Sequence, residues 1–308
     1  MLEDKVTGYY LSNNNKNQIA YYIHKPCDKP IGILQLSHGM CEYFKRYNNF
    51  IKFMNENGIL VCGNDHLGHG NSVFSKEDLG YFGDKDSWCD LPEDLYKLTK
   101  IIKEKYPHTP YFLLGHSMGS FIERLYISKY GNELDGAIIV GTGGKNSLVK
   151  VGIAFSKIIE KFKGERFRSN LIDKLVFGKY NNRFKKRTKF DWLTRDENVV
   201  DNYIKDDYCN FLFTVNGFET LFYLNYYANN KNWGKTVPKS LPIFIISGKE
   251  DPVGDYGKGV QSVYNLLKDE KINDLSIKLY ENSRHEIINE IDYIDVYNDV
   301  LNWVKDRL

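Results

Sequence analysis

Residues 115–119 read Gly-His-Ser-Met-Gly and follow directly on the apolar run Tyr-Phe-Leu-Leu at residues 111–114. An amphipathic stretch, residues 118–130, begins inside this motif. A serine between small residues, where a strand passes into a helix, is typical of a strained turn that presents its hydroxyl at the helix N-terminus, where developing negative charge is favoured. The pattern predicts that Ser117 is a nucleophile; the alternative is a chance match in a tight strand-to-helix turn.

Short apolar runs alternate with helical patterns along the chain, as in proteins whose strands are joined by crossover helices. Strands are predicted at residues 31–37, 59–63, 111–114, 136–140, 242–246 and 275–279. Helices are expected near residues 43–57, 90–106, 118–130, 256–269 and 287–307. Residues 5–25 alternate in polarity and predict an antiparallel edge hairpin. The expected fold class is α/β, with a mostly parallel central sheet flanked by helices.

The alternation stops after Val140, and residues 145–235 contain no clear strand–helix–strand unit. Such a stretch is too long for a bare loop within a compact domain. We therefore expect an inserted, mainly helical cap at 145–235, carried by a core that residues 1–144 and 236–308 form together.

A serine nucleophile needs a base, and the base needs an orienting carboxylate. In this fold class the chain order is serine, acid, histidine. Of the seven histidines only His285 follows position 116, and it stands just after the last predicted strand. Asp251 follows the preceding strand and is the preferred acid, because the proline after it favours an extended conformation. Glu250 and Asp255 remain alternatives.

Acyl transfer also needs N–H donors for the oxyanion of the tetrahedral intermediate. The N–H of Met118, directly after the nucleophile, is one predicted donor. The second is predicted at Met40, in the loop that follows the strand ending near Ser37, where Gly39 allows a close approach of the backbone. A simple turn is the alternative for this loop.

Residues 65–72 read Asp-His-Leu-Gly-His-Gly-Asn-Ser. The density of glycine and polar residues predicts a structural loop. His66 and His69 could be metal ligands, but no cluster of cysteine or carboxylate residues accompanies them. We expect neither a metal site nor a cofactor.

Composition and charge bear on the partners and the cellular location of the protein. The net charge of +2 gives no reason to expect nucleic acid as a partner. Residues 1–5 carry no apolar stretch, and no apolar run approaches the roughly 18 residues of a membrane span, so neither a signal peptide nor a span is expected. The five cysteines lack CxxC spacing, which favours a reducing, cytoplasmic location. The sequence leaves the oligomeric state open.

The predicted cap supplies candidates for an apolar substrate pocket. Phe155 and Ile159 belong to one apolar stripe at helical spacing, together with Val151, Ile158 and Phe162. Phe218 and Phe222 belong to a second, aromatic-rich segment. Gly39 and His116, beside the nucleophile, complete the predicted pocket. The alternative is that cap residues simply pack on the core.

Charge is unevenly distributed in the same region. Residues 157–189 hold twelve Lys and Arg against three Asp and Glu, a local charge of +9. A solvated basic face is one interpretation. The other is that the cap contacts anionic membrane lipids or the phosphate of a lysophospholipid.

Together these segments resemble the monoglyceride lipase and lysophospholipase branch of the α/β-hydrolases, over about residues 18 to 305. Residues 38–42 are similar to its HGxxE segment, 65–72 to its DxxGHGxS loop and 115–119 to its GHSMGG turn. Tyr43 and Ser120 depart from the common pattern. Residues 190–197 resemble a cap segment of bacterial members.

The resemblance implies an α/β-hydrolase fold and a serine ester hydrolase that acts on a small lipid-like ester. A general short-chain carboxylesterase is one alternative. An aminopeptidase or amidase is another, with Glu219 or Asp206 holding a substrate amine. A non-catalytic ligand-binding protein would be expected to lack one of the three catalytic residues.

Overall fold

The computed structural model describes residues 6–83 and 86–308. In these residues one sheet contains the strands β1 (Gly8–Leu11), β2 (Gln18–His24), β3 (Gly32–Ser37), β4 (Ile59–Asn64), β5 (Tyr111–His116), β6 (Gly136–Val140), β7 (Ile243–Gly248) and β8 (Leu275–Tyr280). Their spatial order is β1-β2-β4-β3-β5-β6-β7-β8.

The sheet is parallel except at one edge. β1 pairs with β2 and β2 with β4 in antiparallel fashion, whereas the pairs from β4 through β8 are parallel. The predicted α/β-hydrolase fold and its antiparallel edge hairpin are confirmed, although residue 5, where the hairpin prediction begins, lies outside the described residues. Strands β3 to β7 are buried at every position, which is why they read as uninterrupted apolar runs.

Helices cover both faces of the sheet. On one side α2 (Asp90–Lys105), α3 (Met118–Tyr130) and α9 (Lys258–Asp269) contribute to one apolar cluster. On the other side α1 (Asn48–Glu56) and α10 (Tyr293–Lys305) contribute to a second. The sheet is therefore packed between two apolar cores, which fix the position of its carboxyl edge.

Residues 145–235, here called the insert, lie between β6 and β7. They contain α4 (Val149–Lys163), α5 (Asn170–Phe177), α6 (Glu197–Lys205), α7 (Val215–Ala228) and all but the last residue of α8 (Trp233–Thr236). Side-chain caps begin three of these helices, because Ser169, Asp196 and Thr214 accept hydrogen bonds from the first free N–H groups of α5, α6 and α7. α7 packs on α3 and on α4, whose Gly152 lies so close to the Phe222 ring that a Cβ there would be 2.9 Å from it.

The fully buried Arg124 of α3 ties both ends of the insert to the core. Its guanidinium donates to Gly143 O at 3.1 Å, where the chain leaves β6. It also donates to Ala228 O at the end of α7 and, at 3.1 Å, to Asn229 Oδ1. Trp233 Nε1 donates to the backbone oxygen of Arg124 at 2.5 Å. Both junctions of the insert are thus held by the helix that follows Ser117.

Several apolar side chains of the insert point to solvent. They are Leu148, Val151, Ile158, Phe162, Phe167, Leu171 and Leu175, with Phe162 at 77% exposure. The stripe predicted to line a pocket therefore turns Val151, Ile158 and Phe162 outward, because the opposite side of α4 packs on α7. Within the described ranges, no helix combines the length and the apolar character needed to cross a membrane.

Candidate active site

Ser117 lies at the tip of the turn between β5 and α3, with φ 56° and ψ −119°. This left-handed conformation is strained for a residue with a side chain. The turn is closed by the hydrogen bond from Ser117 N to Val140 O at 3.0 Å. It also requires glycine at 119, where a Cβ would lie 2.0 Å from Ser37 O. The packing behind the motif thus explains the glycine at 119 and leaves the half-buried Ser117 at the tip of the turn.

The structure brings Ser117, His285 and Asp251 together in one hydrogen-bonded series. His285 Nε2 lies 2.8 Å from Ser117 Oγ, and His285 Nδ1 lies 2.9 Å from Asp251 Oδ2. With Nδ1–H donated to the carboxylate, Nε2 carries the lone pair and can accept the serine proton. This is the geometry that a general base needs.

Asp251 is held from several directions and has no exposed surface. Its Oδ1 accepts from Val253 N at 2.8 Å, and its Oδ2 accepts from Ser247 Oγ at 3.3 Å. Of the two alternative acids, Asp255 is exposed and Glu250 is only partly buried. Asp251 is the one that contacts His285.

The loop that carries His285 is fixed by the insert. His285 N donates to Trp192 O at 3.4 Å and Glu286 N donates to Leu193 O at 2.7 Å. The Trp192 ring centroid lies 5.1 Å from that of His285. The position of His285 therefore depends on the packing of residues far from it in sequence.

Met40 and Met118 both line the cavity above Ser117. On either side of Met40 the backbone N–H groups are occupied: Gly39 N donates to Glu42 Oε1 at 2.6 Å, and Cys41 N donates to His69 Nε2 at 3.2 Å. These two bonds define the path of the loop through Met40. Met118 N is the first N–H of α3, and such groups have no partner within their helix.

A buried charge network lies beneath this loop. Glu42 Oε1 accepts from Tyr47 Oη at 2.9 Å and faces His116 Nδ1 at 3.1 Å, while Glu42 Oε2 accepts from Arg46 at 2.9 Å. Arg46 continues to Glu286, the neighbour of His285, with two bonds of 2.7 Å. The network links the loop at Gly39 to the loop that carries His285.

The network also sets protonation states. Burial alone would raise the pKa of Glu42, but the hydrogen bond and charge of His116, together with Arg46, hold it below its ordinary value. Burial alone would lower the pKa of His116, but the hydrogen bond and charge of Glu42 raise it. Glu42 is therefore an ionised acceptor. Sequence reasoning did not assign a role to Arg46 or Glu286; the i,i+4 spacing of Glu42 and Arg46 was the available signal.

The histidines of residues 65–72 support the same loop as neutral side chains. His69 Nδ1 donates to Leu67 O at 2.9 Å, which leaves Nε2 to accept from Cys41 N. Burial lowers the pKa of His69 to about 3 and that of His66 well below its ordinary value. In the described part of the chain no group of three or more His, Cys, Asp or Glu side chains is arranged to hold a metal ion.

A cavity of about 320 Å³ opens over Ser117, between the core and the insert. Of the predicted pocket residues, Gly39, His116 and Phe222 line it. Phe155, Ile159 and Phe218 do not. Phe218 is fully buried among Phe213, Phe222 and Phe177, and the two α4 residues pack against the core cluster. A helical stripe identifies a buried side but not whether that side meets a cavity or another helix.

The chain is similar to known lipases and esterases over most of its length. The family profile described as "Serine aminopeptidase, S33" (Hydrolase_4) matches residues 28–292. The monoglyceride lipase of Rattus norvegicus is 24% identical over 290 residues, which cover 92% of this chain and 86% of the rat protein. The monoacylglycerol lipase of Mycolicibacterium smegmatis is 24% identical over 301 residues, 94% of each chain.

A solved structure gives a stronger likeness. A highly thermostable carboxyl esterase from Bacillus coagulans, in complex with glycerol, is 32% identical, with a TM-score of 0.90 and coverage of 97% of both chains. The profile spans most of the chain and the likeness to the esterase spans nearly all of it. The chain therefore belongs to the Hydrolase_4 family and, like the lipases and the esterase it resembles, is a serine ester hydrolase with the α/β-hydrolase fold.

Proposed function

We propose that the enzyme hydrolyses monoacylglycerol or lysophospholipid-type esters through a covalent acyl-enzyme. The observation that carries this proposal is the series Ser117–His285–Asp251 at the base of a cavity lined by both core and insert. Residues 145–235 would act as the cap that covers this cavity. The names of the related lipases support a glycerol ester as substrate.

The proposed reaction has two halves. His285 Nε2 takes the Ser117 proton while Oγ attacks the ester carbon, and the N–H groups of Met40 and Met118 stabilise the oxyanion. The carbon–oxygen bond to the alcohol then breaks, and His285 gives its proton to the leaving alcohol. Water, deprotonated by the same nitrogen, attacks the acyl-enzyme, the fatty acid leaves, and Ser117 regains its proton.

The lining of the cavity supports a lipid acyl chain. Phe121, Val149, Leu221, Phe222 and Val253 contribute apolar surface. Neither residue considered for holding a substrate amine belongs to the lining. Asp206 accepts from Tyr43 Oη at 2.9 Å, and Glu219 lies in a separate surface depression near Lys157. Neither position therefore supports the aminopeptidase alternative.

A hydrolysis profile over acyl chain length tests the proposal. Each methylene buried in the cavity contributes about 0.8 kcal/mol, so kcat/KM for monoacylglycerols should rise up to about fourfold per methylene until the cavity is full. Monoacylglycerols, lysophosphatidylcholine, aryl esters and an aminoacyl anilide should be assayed side by side. Activity confined to acetyl and butyryl esters would instead identify a short-chain carboxylesterase, and anilide cleavage a peptidase.

We also propose that this enzyme works in the cytoplasm and docks on anionic membranes through the insert. All five cysteines are free thiols, as in a reducing compartment. The exposed Phe162 and Leu175 stand among the basic residues of 157–189. Apolar side chains surrounded by basic ones suit a surface of anionic lipids, such as the cytoplasmic leaflet presents.

Binding to phosphatidylglycerol vesicles is expected to weaken as sodium chloride is added, because the attraction is electrostatic. Phe162→Ser should weaken it further, with activity on soluble aryl esters unchanged. Phe74→Ser is the matched control, since Phe74 is 76% exposed but lies outside the insert. Sedimentation with vesicles measures the effect of salt and the effect of each substitution on binding. Salt-independent binding, or equal losses in the two variants, would exclude this docking surface.

A further inference from the structure

His116 lies directly before Ser117 and is buried between the two loops that flank the nucleophile. Each ring nitrogen faces one oxygen atom: Nδ1 lies 3.1 Å from Glu42 Oε1, and Nε2 lies 3.3 Å from the backbone oxygen of His285. The ring centroids of His116 and His285 are 4.8 Å apart. One side chain thus connects the loop at residues 39–42 to the residue whose ring contacts Ser117 Oγ.

Both oxygen atoms that face His116 are acceptors. The backbone oxygen of His285 has no proton to give. Glu42 Oε1 already accepts from Gly39 N at 2.6 Å and from Tyr47 Oη at 2.9 Å, and its carboxylate is ionised. A neutral imidazole carries one N–H, so its second nitrogen would present a lone pair to an acceptor in a buried site. Only the imidazolium, with two N–H groups, donates to both oxygen atoms.

The charges around His116 support the imidazolium. Burial alone would lower the pKa of His116, but the hydrogen bond and charge of Glu42 raise it, and the charge of Glu286 adds to this effect. His38 adds no opposing charge near neutral pH, because burial lowers its pKa. The other titratable groups that face the ring are the side chains of Tyr47 and His285. Arg46 is bound to both carboxylates, which therefore balance the charges of the ring and the guanidinium.

We propose that His116 is a positioning residue, kept protonated by Glu42, whose Nε2–H holds the backbone of His285 in place for catalysis. At alkaline pH the ring loses one proton and can keep only one of its two hydrogen bonds. Either His285 or the loop at residues 39–42 is then released, so the rate of ester hydrolysis should fall. Titration of His285 itself gives the acid limb, because its neutral form is the base. The inference rests on the proposed mechanism but not on the identity of the ester.

The pH dependence of kcat/KM for a soluble aryl ester tests this role. The wild type should lose activity on the alkaline side through a single titration. His116→Gln keeps a side-chain N–H but cannot titrate, so we expect kcat to fall about 10- to 100-fold, with KM little changed and the alkaline limb lost. Glu42→Gln removes the neighbouring charge and should move the alkaline limb about 1–3 pH units toward neutrality. His108→Gln is the matched control and should reproduce the wild-type profile, because His108 is exposed.

NMR of the histidine ring protons of the wild type measures the charge directly, and His116 should show two N–H protons at neutral pH. A single N–H proton on His116 would overturn the proposal. A wild-type rate that stays level at alkaline pH, an alkaline limb that persists in His116→Gln, or one that Glu42→Gln does not move would do the same. If His116→Gln fails to fold, the NMR spectrum and the Glu42→Gln profile decide. Wild-type enzyme inactive on every ester would overturn the proposed function, whereas NMR would still decide the charge of His116.

Discussion

Ser117→Ala is expected to lower kcat for ester hydrolysis by roughly 10⁴-fold or more, to a rate near the background. The substitution removes the only atom of the residue that lies 2.8 Å from His285 Nε2, so no acyl-enzyme can form. The strained backbone at 117 does not distinguish serine from alanine, because both carry a Cβ. The fold and the melting temperature should therefore stay close to those of the wild type.

Covalent labelling by a fluorophosphonate, followed by mass determination, measures the same prediction independently of substrate. The wild type should take up one label and Ser117→Ala none. Ser128→Ala is the matched control, because Ser128 lies on the same helix and its hydroxyl donates only to Leu125 O. Labelling of the Ser117 variant, or retained turnover, would remove Ser117 from the mechanism.

Asp251→Asn is expected to lower kcat about 10³- to 10⁴-fold with little change in structure. The asparagine oxygen can still accept from Val253 N, which turns the amide NH₂ toward His285 Nδ1. That nitrogen must then act as an acceptor, so the proton of a neutral ring moves to Nε2. Nε2–H cannot take the proton of Ser117, and the base is lost.

The two other acids near Asp251 provide the controls. Glu250→Gln and Asp255→Asn should keep activity within about threefold of the wild type, since surface substitutions away from such contacts have small effects. Steady-state kinetics on one aryl ester, with thermal unfolding of each variant, separates a catalytic effect from lost stability. If Asp255→Asn or Glu250→Gln proved as damaging as Asp251→Asn, the assignment of the acid would be wrong.

Much of the fold could be predicted from local patterns in the sequence. A parallel sheet buried on both faces leaves uninterrupted apolar runs, so the strands at residues 31–37 and 136–140 were predictable from the local sequence pattern. The turn at Ser117 was equally readable, because its glycines are imposed by contacts that recur wherever a strand enters a helix in this way. The preference for Asp251 over its neighbours came from the proline that follows it, which favours an extended conformation at 251.

The sequence did not show in the same way which side chains pack against one another. The apolar stripe of α4 has the same helical period whether a side chain meets a cavity, another helix or solvent. Phe155, Ile159 and Phe162 were expected to line the cavity, but none of them does. The pairing of Arg46 with Glu286 spans 240 positions, and no local spacing marks it. Contacts between distant segments depend on how the elements pack, which periodicity does not encode.

The motif at residues 115–119 by itself determined the strand-to-helix turn and singled out Ser117, because steric limits on φ, ψ and neighbouring Cβ atoms act within a few residues. Only the tertiary structure decided what surrounds that serine. Packing of the insert on the core forms the cavity above Ser117 and fixes the loop of His285 through hydrogen bonds to Trp192 O and Leu193 O. Burial and charge at a site are sums over residues far apart in sequence, so only the folded chain defines the environment in which Ser117 acts.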